Sequence, residues 1–511
     1  MYIGDYLSRR AIYSPQKTAV IDAGHDPVLR LSYAQLNERA NRLANWLHTA
    51  GIGKGDRVAI LARDGVAHLD CFFACSKVGA IHTALNWRLH WRELAAIMAQ
   101  TTPQVLIYSD DFRETVSQMQ ADANTHSLRH FVHLEGEGAP GSRPYSAVQQ
   151  EASPDPIFDP TIEAEDIAAL IFTGGTTGLP KAAQVSHRMI AWNTLNTVIH
   201  DLHHDDIYLN VFPLFHTGGL FVYTLPNVIM GGTTILLRQF EPERVLQLIE
   251  QERVTIFAGV PTMYQLLTQA SNWDTAVLTS LRFCTSGGAP LPVPLVQKYT
   301  AEKGIHFKQG FGMTEFGPGI FALAAEDAIS HAGSIGRPNF FVAARVVDDE
   351  NRPLGAGDIG ELVLKGPSQS SGYFNDPAAT AESIDDEGWF HTGDLAVYDE
   401  GWYFTIKDRK KDMFITGGEN VYPAEIEAVL YGHTAVHQCA VVGIPDAKWG
   451  EVGLACVVLQ PGASATESEL LDYLGQNLAR YKVPKTIKIM KALPISNAGK
   501  ILKRELKQQF S

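Results

Sequence analysis

The apolar run Ile167–Phe172 ends at Thr173. The residues that follow, Gly174, Gly175, Thr176, Thr177 and Gly178, carry little bulk before Pro180 and Lys181. This pattern predicts a buried strand that empties into a glycine- and threonine-rich loop. Glycines let backbone N–H groups converge on one point, because no Cβ blocks the dihedrals required. Such a nest binds anions, and threonine hydroxyls and a lysine ammonium add donors and charge. Strand, loop and lysine together are a polyphosphate-binding design. It is not a Walker A loop, since G-x-x-x-x-G-K-[ST] is absent. Ordinary surface loops seldom gather this many phosphate-suited groups behind a buried strand.

The chain around this loop reads as α/β. At 511 residues it exceeds one core, so two or more domains are expected. Ser32 with Gln35 makes a capping box for an amphipathic helix from Ser32 to Ala50, with Leu36, Ala40, Leu43 and Leu47 on one face and Gly51 as its stop. Arg57–Ala62 and Gln104–Tyr108 read as strands, with a helix carrying Cys71 and Cys75 between them. Glu135–Asp166, rich in Pro, Gly, Ser and acid, reads as a long surface excursion. Strands follow at 207–211, 233–237, 254–258 and 281–285, interleaved with helices that Pro242 and Pro261 open. This alternation predicts a largely parallel sheet, whose ligands gather at the carboxyl ends of the strands. Texture changes near Asp408, and residues 409–511 read as a smaller α+β domain after an N-terminal domain over 1–408.

Composition excludes several partners. The net charge is −14 and no long Lys/Arg cluster appears, so no nucleic-acid partner is expected. The opening MYIGDYLSRRAIYSP lacks the apolar core of a secretory leader. The most apolar region, 212–237, is broken by Pro213, His216 and Pro226, so no integral membrane segment is expected. Five scattered cysteines, Cys71, Cys75, Cys284, Cys439 and Cys456, form no C-x-x-C pair and no His/Cys cluster in sequence. Zinc is therefore not expected, and a reducing cytoplasm is.

Further loops supply the rest of a nucleotide site. Gly287-Gly288-Ala289-Pro290 offers a backbone surface for a flat ring, and Phe311, in Gly310-Phe311-Gly312-Met313, is placed to stack on it. Thr314 and Glu315 set a hydroxyl beside a carboxylate, which suits a phosphate and its Mg²⁺. Asp394 suits the two ribose hydroxyls, and Arg409 adds fixed charge. Singly each has an ordinary reading as a turn or surface residue; jointly they make an ATP site.

With these residues the sequence resembles the adenylate-forming superfamily of acyl- and aryl-CoA ligases, luciferase and adenylation domains. The motifs TGGTTGLPK (173–181), QGFGMTE (309–315), GWFHTGDL (388–395), DRKKDMFITGGENVYPAEIE (408–427) and PISNAGKILKREL (494–506) occur in the family's order over most of the chain. The resemblance is strongest to bacterial fatty-acid–CoA and feruloyl-type CoA ligases. It implies a large N-terminal domain, a mobile C-terminal domain, and the substrates ATP, CoA and a small-molecule carboxylic acid, with Mg²⁺ on Glu315 and Thr173. It further implies that Lys500 is the adenylation lysine and Lys411 the hinge. Gly417, Gly418 and Glu419 would line the pantetheine channel, Trp449 the CoA side, and His216 the mouth of the acyl pocket. Gly174 departs from the family, which usually has Ser or Thr there, so one hydroxyl donor to pyrophosphate is missing.

The implied reaction is acid plus ATP to acyl-AMP and pyrophosphate, then transfer to the CoA thiol. The acyl pocket is expected to be lined by 212–220, 286–289 and 312–319. No Lys or Arg there meets a second carboxylate and no acid besides Glu315 meets an amine, which leaves fatty and aryl or arylpropenoic acids. Two alternatives stay open: an acceptor that is an amine or a carrier-protein thiol, and a nucleotide-binding protein without catalysis, against which Lys500, Glu315 and Asp394 argue. A homodimer is compatible with the sequence.

Overall fold

The computed structural model describes residues 4–173, 180–416, 419–446, 448–495 and 501–510. It divides into two compact units, Met1–Ala343 with Lys365–Phe390 and Ala344–Leu364 with His391–Ser511. The second unit thus includes a four-stranded sheet in addition to the C-terminal segment set apart by its sequence texture.

Among the described residues the first unit carries a nine-stranded and a seven-stranded sheet. In the larger sheet, Thr18–Asp22, Thr233–Leu236, Ile207–Asn210, Ile256–Gly259, Phe283–Gly287 and Phe307–Gly312 run parallel, with antiparallel strands at both edges. In the smaller sheet the strands are parallel up to Ile167–Thr173, which then pairs antiparallel with Lys181–Ser186. Their near-continuous apolar character follows from burial on both faces. One core joins the sheets: Val20 and Leu236 from the larger, Ala169, Ile171 and Val185 from the smaller, and Leu36, Ala40, Leu69 and Phe72 from helices against them.

The local rules hold at the helix ends. Ser32 Oγ accepts from Gln35 N–H at 3.3 Å and Gln35 Oε1 accepts from Ser32 N–H at 2.9 Å, which starts the helix Tyr33–Thr49. Leu36, Ala40, Leu43 and Leu47 are buried, and Gly51 follows in the left-handed region at φ +77°. Pro242 and Pro261 occupy first-turn positions of Pro242–Gln251 and Pro261–Leu267. The segment 135–166 differs from a plain surface excursion. It contains the helix Tyr145–Glu151, whose buried Tyr145 hydroxyl donates to Asp70 Oδ2 at 2.8 Å. An aromatic residue within a polar stretch was the sign of that anchor.

The second unit has the sheet of Gly360–Lys365, Phe390–Tyr398 and Phe404–Arg409 with Ala343–Val347, and a five-stranded sheet built on Val436–Asp446 and Gly450–Leu459. The helices Pro423–Tyr431 and Glu467–Asn477 cover the latter with Ile426, Leu430, Leu470 and Leu474. Among the described residues no helix is long and apolar enough to cross a membrane.

Candidate active site

The phosphate-loop strand returns on itself. Thr173 and Lys181 are register partners at the mouth of an antiparallel hairpin, and Thr173 Oγ1 donates to the Lys181 carbonyl at 3.4 Å. Gly174, Gly175, Thr176, Thr177 and Gly178 lie outside the described residues. The strand Lys181–Ser186 is flanked by a segment the motifs do not advertise. Gln184 N–H donates to Gly372 O, Phe374 N–H donates to Ala182 O, and Ala183 bridges Tyr373. Arg188, in the next helix, holds this segment by donating to the carbonyls of Pro367 and Gln369.

That pairing delivers Tyr373. Its hydroxyl donates to Glu315 Oε1 at 2.7 Å, and the Lys181 ammonium lies 5.0 Å from its ring centroid. Burial first, and then the Glu315 charge, push the phenol above the usual tyrosine range, so it stays a neutral donor. Glu315 is itself buried, in the short turn Thr314–Phe316, and its carbonyl accepts from Ser370 N–H at 2.8 Å. No described residue donates to Glu315 Oε2. Thr314 Oγ1 lies 3.4 Å from Thr217 Oγ1. His216 stands just before Thr217 at the start of a one-turn helix, its ring 4.5 Å from that of Phe215. Leu214, in the same turn, donates its N–H to buried Asp64 at 2.6 Å, and burial pushes that carboxyl up to about 7.

The adjoining strands end in bare backbone. Gly287 and Gly310 are partners across Phe283–Gly287 and Phe307–Gly312. A Cβ on Gly310 would meet nothing closer than 4.0 Å, whereas one on Gly312 would strike Pro318 O at 1.7 Å. Gly288 lies at φ +80°, which disfavours any side chain there. Phe311 is held edge-to-face by Phe321, with centroids 5.8 Å apart. Ala289 and Pro290 continue the loop, and Met313 leads into the turn that carries Thr314 and Glu315.

In the second unit, Asp394 and Arg409 are register partners on neighbouring strands, and Arg409 Nε lies 2.7 Å from Asp394 Oδ1. Thr392 Oγ1 accepts from the Asp394 backbone N–H and itself donates to Leu362 O, so the backbone under the buried carboxylate is pinned while Arg409 meets the carboxylate itself. Lys411 follows in an exposed turn. Asp408 accepts from Arg409 N–H and from Ala424 N–H, both at 2.7 Å, and so caps the helix Pro423–Tyr431. Glu419 is exposed and pairs with Thr416; Gly417 and Gly418 lie outside the described residues. Trp449 is 47% exposed in the turn before Gly450–Leu459 and is not a core residue. Asp446 Oδ1 accepts its N–H, and Lys448 Nζ lies 4.7 Å from its ring centroid.

A sequence model of the AMP-binding enzyme family matches residues 7–374, and one of the AMP-binding enzyme C-terminal domain matches 425–500. The chain belongs to the AMP-binding enzyme family. It is 42% identical over 509 residues to a feruloyl-CoA synthase of an Amycolatopsis species, covering 99% of each chain. It is 36% identical to a long-chain-fatty-acid–CoA ligase of Mycobacterium tuberculosis, covering all of this chain and 98% of the other. Its fold superposes on ATP-bound MatB from Rhodopseudomonas palustris with a TM-score of 0.90 at 32% identity, covering 100% and 99% of the two chains. The adenylate-forming resemblance and the two-domain α/β architecture stand on these matches.

For this AMP-binding enzyme the fold gathers Thr173, Lys181, Thr314 and Glu315 through Tyr373, and Asp394 with Arg409. Lys500 lies outside the described residues, but the helix that follows it begins with Lys503. Lys503 Nζ pairs with Glu427 Oε1 at 2.8 Å. Burial pulls this ammonium down, yet Glu427 and Asp408 outweigh it and leave it above the ordinary lysine value. Tyr373, Lys503, Glu427 and Asp408 were not singled out from the sequence. The last two sit inside the 408–427 motif and Lys503 inside 494–506, so the motif strings already contained them as residues without roles.

Proposed function

We infer that the protein is an AMP-forming acyl-CoA ligase for a fatty or aryl carboxylic acid. The observation that carries this reading is the chain Lys181–Tyr373–Glu315 at the mouth of the Thr173 hairpin. It places a cation, a neutral donor and a buried carboxylate whose Oε2 takes no hydrogen bond from a described residue in a single cluster. The higher identity to a feruloyl-CoA synthase than to a fatty-acid ligase puts arylpropenoic acids first among substrates.

In the first half-reaction a carboxylate oxygen of the acid forms a bond to the α-phosphorus of ATP, and pyrophosphate leaves with the bonding electron pair. Lys181, Thr173 and the loop residues 174–178 take the phosphates, and Lys500 bridges carboxylate and α-phosphate. The requirement is fixed positive charge where negative charge develops. Glu315 Oε2 and Thr173 suit a divalent cation, with Oε1 oriented by Tyr373. Magnesium bound there neutralises phosphate charge. Gly287, Gly288, Ala289, Pro290 and Gly310 bed the adenine, Phe311 stacks on it, and Asp394 takes the ribose hydroxyls. In the second half-reaction the CoA sulfur attacks the acyl carbonyl and AMP leaves. Lys411 marks the pivot that exchanges Lys500 for the 417–419 segment, Trp449 meets CoA, and His216 borders the acyl group. A cytoplasmic setting supplies ATP and CoA and suits five free, buried cysteines.

The test is a mass-spectrometric product screen. The protein is incubated with Mg-ATP and a panel of arylpropenoic, aryl and fatty acids, with and without CoA. Acyl-CoA from one acid class is expected. In a Lys500→Ala variant acyl-AMP formation should collapse by roughly 10²–10³ while thioester still forms from supplied acyl-AMP. Acyl-AMP without thioester would replace CoA by an amine or a carrier-protein thiol as acceptor. No adenylate from any acid would overturn the reading.

A further inference from the structure

The helix Val66–Val78 buries almost every side chain, including polar ones that have no part in nucleotide chemistry. Cys71 and Cys75, one turn apart, share a face of it. The strand Ile81–Ala84 packs against that helix and brings in His82, whose register partners are Val58 and Ala169. The two thiol sulfurs and a ring nitrogen of His82 lie within 4.8 Å of one another. All three residues are fully buried, and among the described residues they are the one such group of metal-ligating side chains. The sequence spacing showed no cluster because His82 arrives from another element.

Among the described residues neither ring nitrogen of His82 has an N–H or O–H partner, and the polar group beside it is the Cys71 thiol. A buried imidazole served by nothing stronger than a thiol is a poor choice for packing alone. His68 repeats the pattern one turn before Cys71 on the same face. Its Nε2 lies 3.2 Å from the Ala62 carbonyl, a contact only a ring N–H can make, so Nδ1 is a bare, buried lone pair without a partner.

We propose that Cys71, Cys75 and His82 form a binding site for a thiophilic d¹⁰ ion, Zn(II) or Cu(I), separate from the nucleotide site. Thiolate and imidazole are the donors both ions favour. Binding replaces two S–H bonds by two metal–sulfur bonds and releases two protons. Around zinc, sulfurs about 2.3 Å from the ion lie about 3.8 Å apart, which the spread of at most 4.8 Å accommodates with rotamer-scale adjustment. Three donors satisfy Cu(I), and tetrahedral Zn(II) takes a fourth ligand beyond them.

The reduced, metal-stripped full chain is titrated with Co(II), as a spectroscopic stand-in for zinc, and separately with Cu(I) against a chromophoric chelator. One ion per chain is expected, with thiolate-to-cobalt charge-transfer absorption in the Co(II) arm. Cys71→Ala and Cys75→Ala should weaken binding at least about a hundredfold. Cys284→Ala and Cys456→Ala should leave it unchanged. His82→Ala should weaken both ions to a similar degree. A release of two protons per zinc, read from the buffer dependence of the binding heat of the unaltered chain, tests the ligation without any variant. Less than about 0.1 ion per chain in both arms, binding untouched by Cys71→Ala, or no proton release would each overturn the proposal.

Discussion

Replacing Tyr373 with phenylalanine removes one hydroxyl and leaves the ring beneath Lys181. The lost contact is a 2.7 Å hydrogen bond to Glu315 Oε1, inside a site where both residues are 7% exposed. The backbone that carries Tyr373 is pinned independently, by Phe374 N–H to Ala182 O and Gln184 N–H to Gly372 O. The variant therefore frees the Glu315 carboxylate to turn while leaving the fold in place. A hydrogen bond to a charged group contributes about 1.5–3 kcal/mol, which is roughly 10- to 150-fold in rate when the carboxylate must hold Mg-ATP in the transition state. Pyrophosphate release at limiting ATP reads the first half-reaction, and thioester formation from supplied acyl-AMP reads the second. The first should fall by that factor and the second by less than about twofold, with an unchanged unfolding midpoint. Equal loss in both, or adenylation at the normal rate, would refute Tyr373 as the residue that orients Glu315.

Lys503→Met strands the Glu427 carboxylate and should destabilise the chain by about 2–3 kcal/mol, somewhat less than a fully buried pair because both partners keep some water. The double variant Lys503→Met/Glu427→Gln keeps the acceptor for Val441 N–H and should recover at least half of that loss in urea unfolding. Asp64 carries a pH signature. Its folded pKa of about 7 lies above the ordinary 3.8, so the unfolded chain loses this proton first and the group's contribution falls as pH rises between those values. Asp64→Asn should therefore gain about 3 kcal/mol on the unaltered protein between pH 5 and 8 in urea midpoints, and an equal difference at both pH values would contradict it. Gly174→Ser supplies a hydroxyl to the phosphate loop and should lower the KM for ATP; an unchanged or higher value would remove that argument.

Much of this was legible in the sequence because the signals are local. The Ser32/Gln35 box, Pro242, Pro261 and Gly51 each act within one turn of chain, and each helix end falls where those residues put it. The residues proposed to touch ligand stand out in the sequence for a related reason. Bare backbone, hydroxyl and charge must sit side by side to meet a nucleotide, so Thr314 beside Glu315 and Gly287 beside Gly288 appear as contiguous strings. Asp394 and Arg409 are apart in the chain, yet each lies in its own string, and the register between their strands makes them a pair.

The residues that hold those groups in place were not legible, and the reason is distance along the chain. Tyr373 reaches Glu315 only because 372–374 lies along Lys181–Ser186, a pairing that exists once the hairpin turns back at Lys181. The turn back is itself invisible to periodicity, since Ala182, Ala183 and Val185 are buried on a strand that a continuing helix would also have tolerated. His82 follows the same logic. It is a few residues beyond Cys75 in sequence, but the intervening turn at Gly79, φ +73°, reverses the chain and sets the ring against the face that carries both thiols. A motif records what a ligand demands of neighbouring residues. An orienting contact records what the fold demands of distant ones, and for that reason Tyr373, Lys503 and His82 are where substitution tests the structure and not the motif.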